Sequence, residues 1–354
     1  MKLSPTLTDP LASIALHCPD CRVALHRVDD GLHCPQCRQL YPPRLGVPSF
    51  SDPGYYYGTL PRDRVGELIH LAGERRLDAI EAVLQDRRGA KVFLKSFDES
   101  FADGCLLLPL TPTSTVLDLG CGFGAISLPL ARRCGRVVAV DATLDRVAFL
   151  ARRAEAEGLD NVVALHADGL RLPLAEGQFD CVIINGVLEW VGEWDQQSDP
   201  RTVQLGLLRR VRQLLRPGGV LYLAIENRYA AELLYRRKDH NKLYFTSFLP
   251  RRAADWLTRK RKDKPYRTYT YSQSDYVRLL HEAGYPNLEF HCPWPRYQDP
   301  NAIVRAGDEA AFDFFRRRIL ARRQPFDAAV FALLQRLGLH WWMAPAYLIL
   351  AERE

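Results

Sequence analysis

This 354-residue chain lacks any run of the ~20 apolar residues that a membrane-spanning helix requires. Its longest candidate, residues 328–351, is interrupted by Gln335, Arg336 and His340, and reads as a helix followed by a strand. Trp341 and Trp342 between them read as core aromatics rather than as a membrane-interface belt. A secretory leader is not expected, because Leu11–Leu16 falls short of the roughly seven apolar residues such a signal needs and runs into cysteines. Internal repeats and low-complexity tracts are missing, which sets aside repeat arrays. Lysine is scarce, 8 residues against 40 arginines, a bias that genome base composition alone can produce. No disulfide framework is visible: Cys105, Cys121, Cys134, Cys181 and Cys292 are scattered through apolar or motif contexts, as suits packed free thiols in a reducing cytoplasm. The 47% hydrophobic content is enough for one large core and a small satellite.

The most informative stretch is Val116–Gly124, in which Asp118 stands two residues ahead of Gly120, Gly122 and Gly124. An apolar run ending in an acid reads as a buried parallel strand, and the glycines allow a tight turn against a ligand before a helix over 125–133. A nucleoside would sit at that helix N-terminus. The spacing G-x-G-x-G differs from the dinucleotide pattern G-x-G-x-x-G, and a carboxylate beside the loop suits a cationic sulfonium better than a pyrophosphate it would repel. This favours S-adenosylmethionine (SAM) over NAD, with a purely structural turn as the remaining alternative.

The strand 136–140 then ends in Asp141, placed to accept hydrogen bonds from ribose hydroxyls. After a helix over about 144–157, the strand 162–166 leads to Ala167-Asp168-Gly169, where an acid can take the adenine amino group. A fourth strand from Phe179 ends at Asn185 and Gly186, and 214–225 reads as a helix end, a Pro-Gly-Gly turn and a fifth strand. From Val116 to Glu226 this order resembles class I SAM-dependent methyltransferases. The resemblance implies an α/β, Rossmann-like seven-stranded sheet with helices on both faces, its last two strands at Asn287–Cys292 and Pro345–Arg353 around an insertion of about fifty residues. It assigns Asp118, Gly120 and Gly122 to the first motif, Asp141 to the ribose, Asp168 to adenine and Asn185 to the fourth motif, with Cys121, Ala142, Gly169 and Gly186 beside them.

Near the N-terminus, Cys18-Pro-Asp-Cys21 and Cys34-Pro-Gln-Cys37 form two C-x-x-C pairs twelve residues apart, the spacing of a structural four-cysteine zinc site. Redox-active C-x-x-C is the rival. With Tyr41–Phe50, the segment is similar to the zinc ribbons of activator subunits of tRNA and protein methyltransferases, here fused in cis. The expected layout is a ribbon over 1–50, a helical lead-in or lid over 51–114 with periodicity from about Arg64 to Asp86, and the main domain over 115–354. That domain carries a basic acceptor-side insert at about 228–271 and a helical insertion at about 300–340. The segment Gly54-Tyr-Tyr-Tyr-Gly58 either lines the cleft or packs the ribbon onto the main domain.

Residues 201–270 hold 18 Lys and Arg against 5 Asp and Glu, whereas the remainder of the chain is net acidic. Such a segment attracts phosphates of RNA, a sugar nucleotide or a lipid-linked glycan at a membrane surface, or is simply solvated. Glu226-Asn-Arg-Tyr229, Lys238-Asp-His240, the Tyr266–Ser272 run and Pro293-Trp-Pro-Arg-Tyr297 resemble bacterial methyltransferases associated with cell-surface polysaccharides and glycosylated natural products. Many such relatives carry His after a Leu-Glu pair, whereas this chain has Leu188-Glu189-Trp190, so His240 is the preferred base, with Asp239 beside it and Glu189 and Glu226 as alternatives. Tyr266, Tyr269 and Tyr271 either stack on a sugar or alternate on a buried strand. The expectation is a cytoplasmic O-methyltransferase with SAM and zinc, acting on a small-molecule or glycan acceptor, possible phosphate and peripheral membrane contacts included. An RNA methyltransferase and a non-catalytic SAM-binding scaffold stand as alternatives.

Overall fold

The computed structural model describes residues 11, 14–57, 60–74, 76, 78–80, 84, 93–94, 97–193 and 197–354. The chain divides into two compact units, Met1–Ala102 with Leu106–Ile183 and Gln213–Val220, and Asp103–Cys105 with Ile184–Arg212 and Leu221–Glu354.

In the first unit the N-terminal cysteine segment contributes β1 (His26–Val28), β2 (Gly31–His33) and β3 (Leu40–Tyr41) as one small sheet, and β4 (Pro43–Arg44) with β5 (Val47–Pro48) as a hairpin. Parallel strands β6 (Thr115–Leu119), β7 (Arg136–Asp141) and β8 (Val162–His166) follow. Val116, Leu117, Val137, Val138 and Leu165 are all buried, as apolar strands covered on both faces must be. The helix Leu144–Ala156 buries Leu144, Val147, Ala148, Leu150 and Ala154, a 3.6-residue stripe, and the backbone leaves it at Gly158 with φ 72°. Phe149 on this helix packs edge-on against Phe93 and Phe123, with centroids 5.0 and 5.6 Å away. Val65, Leu68 and Ala72 of the helix Arg62–Gly73 join the same cluster, and Arg62 pairs with Asp145 at 3.0 Å. The expected helical stretch to Asp86 thus begins as a helix ending at Gly73, while 81–83 and 85–86, like Gly58, lie outside the described residues.

The second unit holds β11 (Asn287–Trp294), β12 (Ala302–Arg305) and β13 (Ala346–Glu352), paired antiparallel, with helices that include Pro200–Leu214, Arg251–Lys262, Gln273–Glu282 and Pro325–Arg336. Strands β9 (Phe179–Asn185) and β10 (Leu215–Glu226) contribute residues to both units. The strand order is β12-β11-β13-β10-β9-β6-β7-β8, a Rossmann-like α/β sheet. It has eight strands instead of the expected seven, because the insertion opens with β12, whose Ile303 and Val304 pair with Pro293 and Cys292, before it turns helical. The expected Pro-Gly-Gly turn lies within β10, with Gly218 at φ 75°. Among the described residues no helix is long and apolar enough to cross a membrane.

The ribbon's tail docks on β8. Ser49 bridges His166 in parallel, Phe50 N–H donates to the His166 carbonyl at 2.8 Å, and Val47 packs with Cys121, Leu144, Val147 and Leu150. The buried His166 ring sits 2.8 Å from Ser49 Oγ through Nδ1 and 3.1 Å from the Ala142 carbonyl through Nε2. Burial holds its pKa below the ordinary value, so the ring is neutral. A carbonyl only accepts, so Nε2–H donates to Ala142 and Nδ1 accepts the Ser49 hydroxyl. Ser49→Ala leaves that nitrogen buried without a partner and is expected to destabilise the protein by about 1–3 kcal/mol in chemical denaturation, whereas Ser49→Thr keeps the donor and most of the stability. Equal stability of all three proteins would refute the assignment.

Candidate functional site

The glycine loop after β6 turns as only glycine readily does: φ is 80° at Gly120, 54° at Gly122 and 93° at Gly124. Gly120 and Cys121 N–H both donate to the Val140 carbonyl, at 2.8 and 3.0 Å, so the loop lies across the end of β7. Gly122 N–H donates to Asp141 Oδ2 at 3.0 Å, and Asp141 Oδ1 accepts Thr143 N–H at 2.8 Å. A Cβ at Gly122 would meet nothing within 4 Å, which leaves open space in front of the loop. Asp118, 2% exposed, accepts the Ser127 hydroxyl at 2.5 Å; burial pushes its carboxyl up to about 6 despite that bond, and the Asp141 charge adds to the rise. Asp168 follows β8 and caps the short turn Gly169–Arg171 by accepting Leu170 N–H at 2.9 Å. The structure therefore gathers Asp118, Gly120, Cys121, Gly122, Asp141 and Ala142 on adjoining strand ends, with Asp168 and Gly169 beyond β8.

In the second unit, β9 ends at Asn185, whose buried Oδ1 has no partner. Gly186 follows at φ 65°, and a Cβ there would lie 2.5 Å from the Tyr297 hydroxyl. That hydroxyl donates to Glu226 Oε1 at 3.2 Å. His240 Nε2 lies 3.7 Å from Glu226 Oε1 and 3.9 Å from Glu189 Oε1, with its ring edge-on to Trp190 at 5.2 Å. Glu189 is 1% exposed, and one oxygen of each glutamate is buried without a partner. Burial disfavours the imidazolium, but Glu226, with Glu189 and Asp239, outweighs it and raises His240 to about 9. Burial, with repulsion from Glu226, raises Glu189 to about 8. Burial pushes Glu226 upward too, yet the His240 contact holds its pKa below the usual value. At neutral pH the cluster is an imidazolium, one carboxylate and one carboxylic acid, and its net charge is zero. Besides its charge beside His240, Asp239 shapes the loop: Oδ1 accepts Asn241 and Leu243 N–H, at 2.9 and 3.2 Å. Sequence reasoning named Glu226 only as an alternative base and gave no role to Tyr297, 71 positions away from it, and the structure brings the two into contact. Their polar character and the shared motif context were visible, whereas the contact itself had no local signal.

The four ribbon thiols converge within 4.8 Å of one another, and Cys18 and Cys37 Sγ are 3.8 Å apart. A zinc tetrahedron with bonds of about 2.3 Å has sulfur–sulfur edges of about 3.8 Å. The Cys21 and Cys37 N–H groups point at Cys18 and Cys34 Sγ at 3.5 and 3.4 Å. Burial opposes thiolate formation at Cys18, but the Tyr41 hydroxyl and turn N–H groups lower its pKa to about 6. The donor set and spacing therefore fit a thiolate-loving ion. The other five cysteines are buried, and none of them is in a disulfide. Tyr266, Tyr269 and Tyr271 lie on a chain segment that forms no strand; their rings surround the Arg251 guanidinium at 5.5, 4.0 and 5.5 Å.

Residues 117–223 match the family model described as "Methyltransferase domain". The chain is 33% identical over 144 residues to the ubiquinone biosynthesis O-methyltransferase of Caulobacter vibrioides, covering 40% of this chain and 52% of that one. It is 29% identical over 176 residues to the tRNA 5-carboxymethoxyuridine methyltransferase of Escherichia coli, covering 48% and 61%. Among solved structures, Haemonchus contortus phosphoethanolamine N-methyltransferase 2 in complex with SAM is similar at 15% identity and TM-score 0.42, over 73% of this chain and 52% of that one. The chain thus spans about half the length of the curated relatives it matches. The matched residues contain the glycine loop, Asp141, Asp168 and Asn185, each at a strand's C-terminal end, and on that footing the chain carries a class I SAM-dependent methyltransferase domain.

Proposed function

We propose that the chain transfers the methyl group of SAM to a hydroxyl of a sugar-containing acceptor. The observation that carries this reading is His240 held between two glutamates, one of them bonded to the tyrosine that covers Gly186. Asp141 takes the ribose hydroxyls, Asp168 the adenine amino group, and the Gly120–Gly122 turn the approach of the nucleoside, with Asn185 and Gly186 along the methionine. The bound sulfonium supplies an activated methyl for in-line displacement. His240 receives the acceptor's hydroxyl proton, Glu226 orients the ring and stabilises the imidazolium, and Glu189 supplies a second acid a few ångströms away. Nine unbridged cysteines support a cytoplasmic setting. The tRNA-modifying relative keeps RNA as the second reading.

Labelled SAM incubated with fractionated cell extract is expected to mark a nuclease-resistant glycan fraction, and Asp141→Ala to abolish both labelling and SAM binding. Loss of label on RNase treatment would establish the RNA reading instead, and SAM binding without any label would leave a scaffold.

The base must be neutral to accept a proton, and His240 is neutral only above about 9. We expect kcat/KM to climb about tenfold per pH unit between neutrality and pH 9, then level off. Glu226→Gln removes the main stabiliser of the imidazolium and should move the levelling point to lower pH. A flat profile, or one unmoved by that substitution, would exclude His240 as the base.

For the ribbon, we propose one structural zinc held by Cys18, Cys21, Cys34 and Cys37. With four thiolates there is no open coordination position, so its task is to fix the hairpins and, through them, the tail on β8. Elemental analysis should find one zinc per chain, lost in Cys18→Ser together with part of the thermal stability. A metal-free chain with unchanged melting would contradict this.

A further inference from the structure

We propose that a second cavity in the acceptor-side unit binds a phosphate or diphosphate group of the acceptor. This rests on the acceptor reading above and narrows it to a phosphorylated compound.

The cavity is an open cleft of about 350 Å³ lined by Arg251, Arg252, Arg259 and Arg267, with Tyr266, Tyr269 and two acids. Two helices begin at its edge, Pro200–Leu214 after Ser198 and Asp199, and Arg251–Lys262, so two positive dipole ends add to the guanidinium charge. The two lining acids are already engaged. Asp255 accepts Arg259 Nε at 2.8 Å and Tyr266 N–H at 2.9 Å, and Asp199 accepts Arg201 N–H at 2.9 Å.

Arg251 marks the site most clearly. One Nη donates to the Thr270 carbonyl, and the guanidinium lies over the Tyr269 ring at 4.0 Å. Its other Nη is buried with no hydrogen-bond partner, and among the described residues no carboxylate pairs with it or with exposed Arg252. Fixing a loop accounts for the Thr270 bond and the ring contact, but leaves the guanidinium charge without a carboxylate, so an anion in the cavity would meet an uncompensated cation beside exposed Arg252. Guanidinium forks match phosphate oxygens in pairs.

Tyr266 connects this cavity to the chemistry. It lines both the arginine cavity and a second cavity of about 220 Å³ whose walls include Glu226, Asp239 and His240. The two cavities thus share one buried wall residue, and the proposal places the acceptor's phosphate on the arginine side of it and its hydroxyl on the His240 side. A polyanion such as RNA would instead draw on the exposed Lys260, Arg261 and Lys262 at the other end of the same helix.

Inorganic pyrophosphate titrated calorimetrically into the full chain is the test. It should bind at physiological ionic strength, and Arg251→Lys and Arg252→Ala should each weaken it by about tenfold or more, the cost of a lost charge-assisted bond. The Lys260→Ala/Lys262→Ala double variant should stay within about twofold, SAM affinity should be unchanged in all, and the melting temperature should be unchanged in Arg252→Ala and in the lysine double variant. Uridine diphosphate and a polyprenyl diphosphate in detergent, as two further arms, distinguish a nucleotide-linked from a lipid-linked source. No pyrophosphate binding, equal weakening by the lysine variants, or preferential binding of an RNA oligonucleotide that those variants abolish would overturn the proposal. Because the readout is binding, a chain that never transfers methyl groups yet binds pyrophosphate through Arg251 and Arg252 would refute the methyltransferase reading alone.

Discussion

The carboxylate of Asp141 ties together the two loops on which the cofactor side is built. One oxygen holds Gly122 of the β6 loop, the other holds Thr143 at the start of the next helix, and the chain between them, at Ala142, is held by His166. None of these contacts is strong alone, since a net hydrogen bond contributes about 1 kcal/mol, but they close a circuit of buried polar groups. His166 in turn answers to Ser49, so the small N-terminal module reaches the same circuit through one hydroxyl. The N-terminal cysteine segment thereby has a definite place within its unit, set by Val47 in an apolar cluster and Ser49 in a polar one.

The cluster around His240 obeys a different constraint. Three ionisable side chains in a shielded site are tolerable because protons redistribute until the net charge vanishes. The raised His240 pKa stabilises the fold fully below the unfolded value of 6.5, and that contribution disappears as pH rises through about 9. The raised Glu189 pKa acts in the same direction: folding favours its protonated form, and stability falls as pH climbs from 4.5 through about 8. Glu226 acts oppositely, contributing above 4.5 and losing its contribution in acid. The alkaline conditions that neutralise the His240 ring, as the proposed role of base would require, are therefore those in which the cluster is least stable.

Much of this was legible in the sequence because it is encoded locally. Apolar runs ending in Asp118, Asp141 and Asn185, and left-handed glycines directly after two of those strands, follow from residue type and spacing, and the two C-x-x-C pairs announce converging thiols. What was not legible depends on long-range approach. Tyr297 meets Glu226 because β10 and the segment after β11 come together in three dimensions, and the added strand β12 exists because Ile303 and Val304 find partners ten or so positions back. Asp239 acts at both scales: its charge helps to raise His240, as adjacency in sequence suggests, while its Oδ1 satisfies the backbone N–H groups that follow it.

The basic charge of residues 201–270 shows how composition and placement differ. Counted along the chain, it resembles a polyanion footprint. In space, many of its arginines are consumed by carbonyl oxygens: Arg228 bonds Ser247 and Leu249, Arg267 bonds Gly192 and Ser198, and Arg212 bonds Gly284. A guanidinium suits this work because its planar fork can satisfy two carbonyls at once while remaining charged, which an ammonium point charge does less well. An arginine-rich, lysine-poor composition is thus used as a set of backbone staples across an insert with few strands. The positive charge left for the proposed phosphate site is what remains after the staples are subtracted, and it includes Arg251 and exposed Arg252.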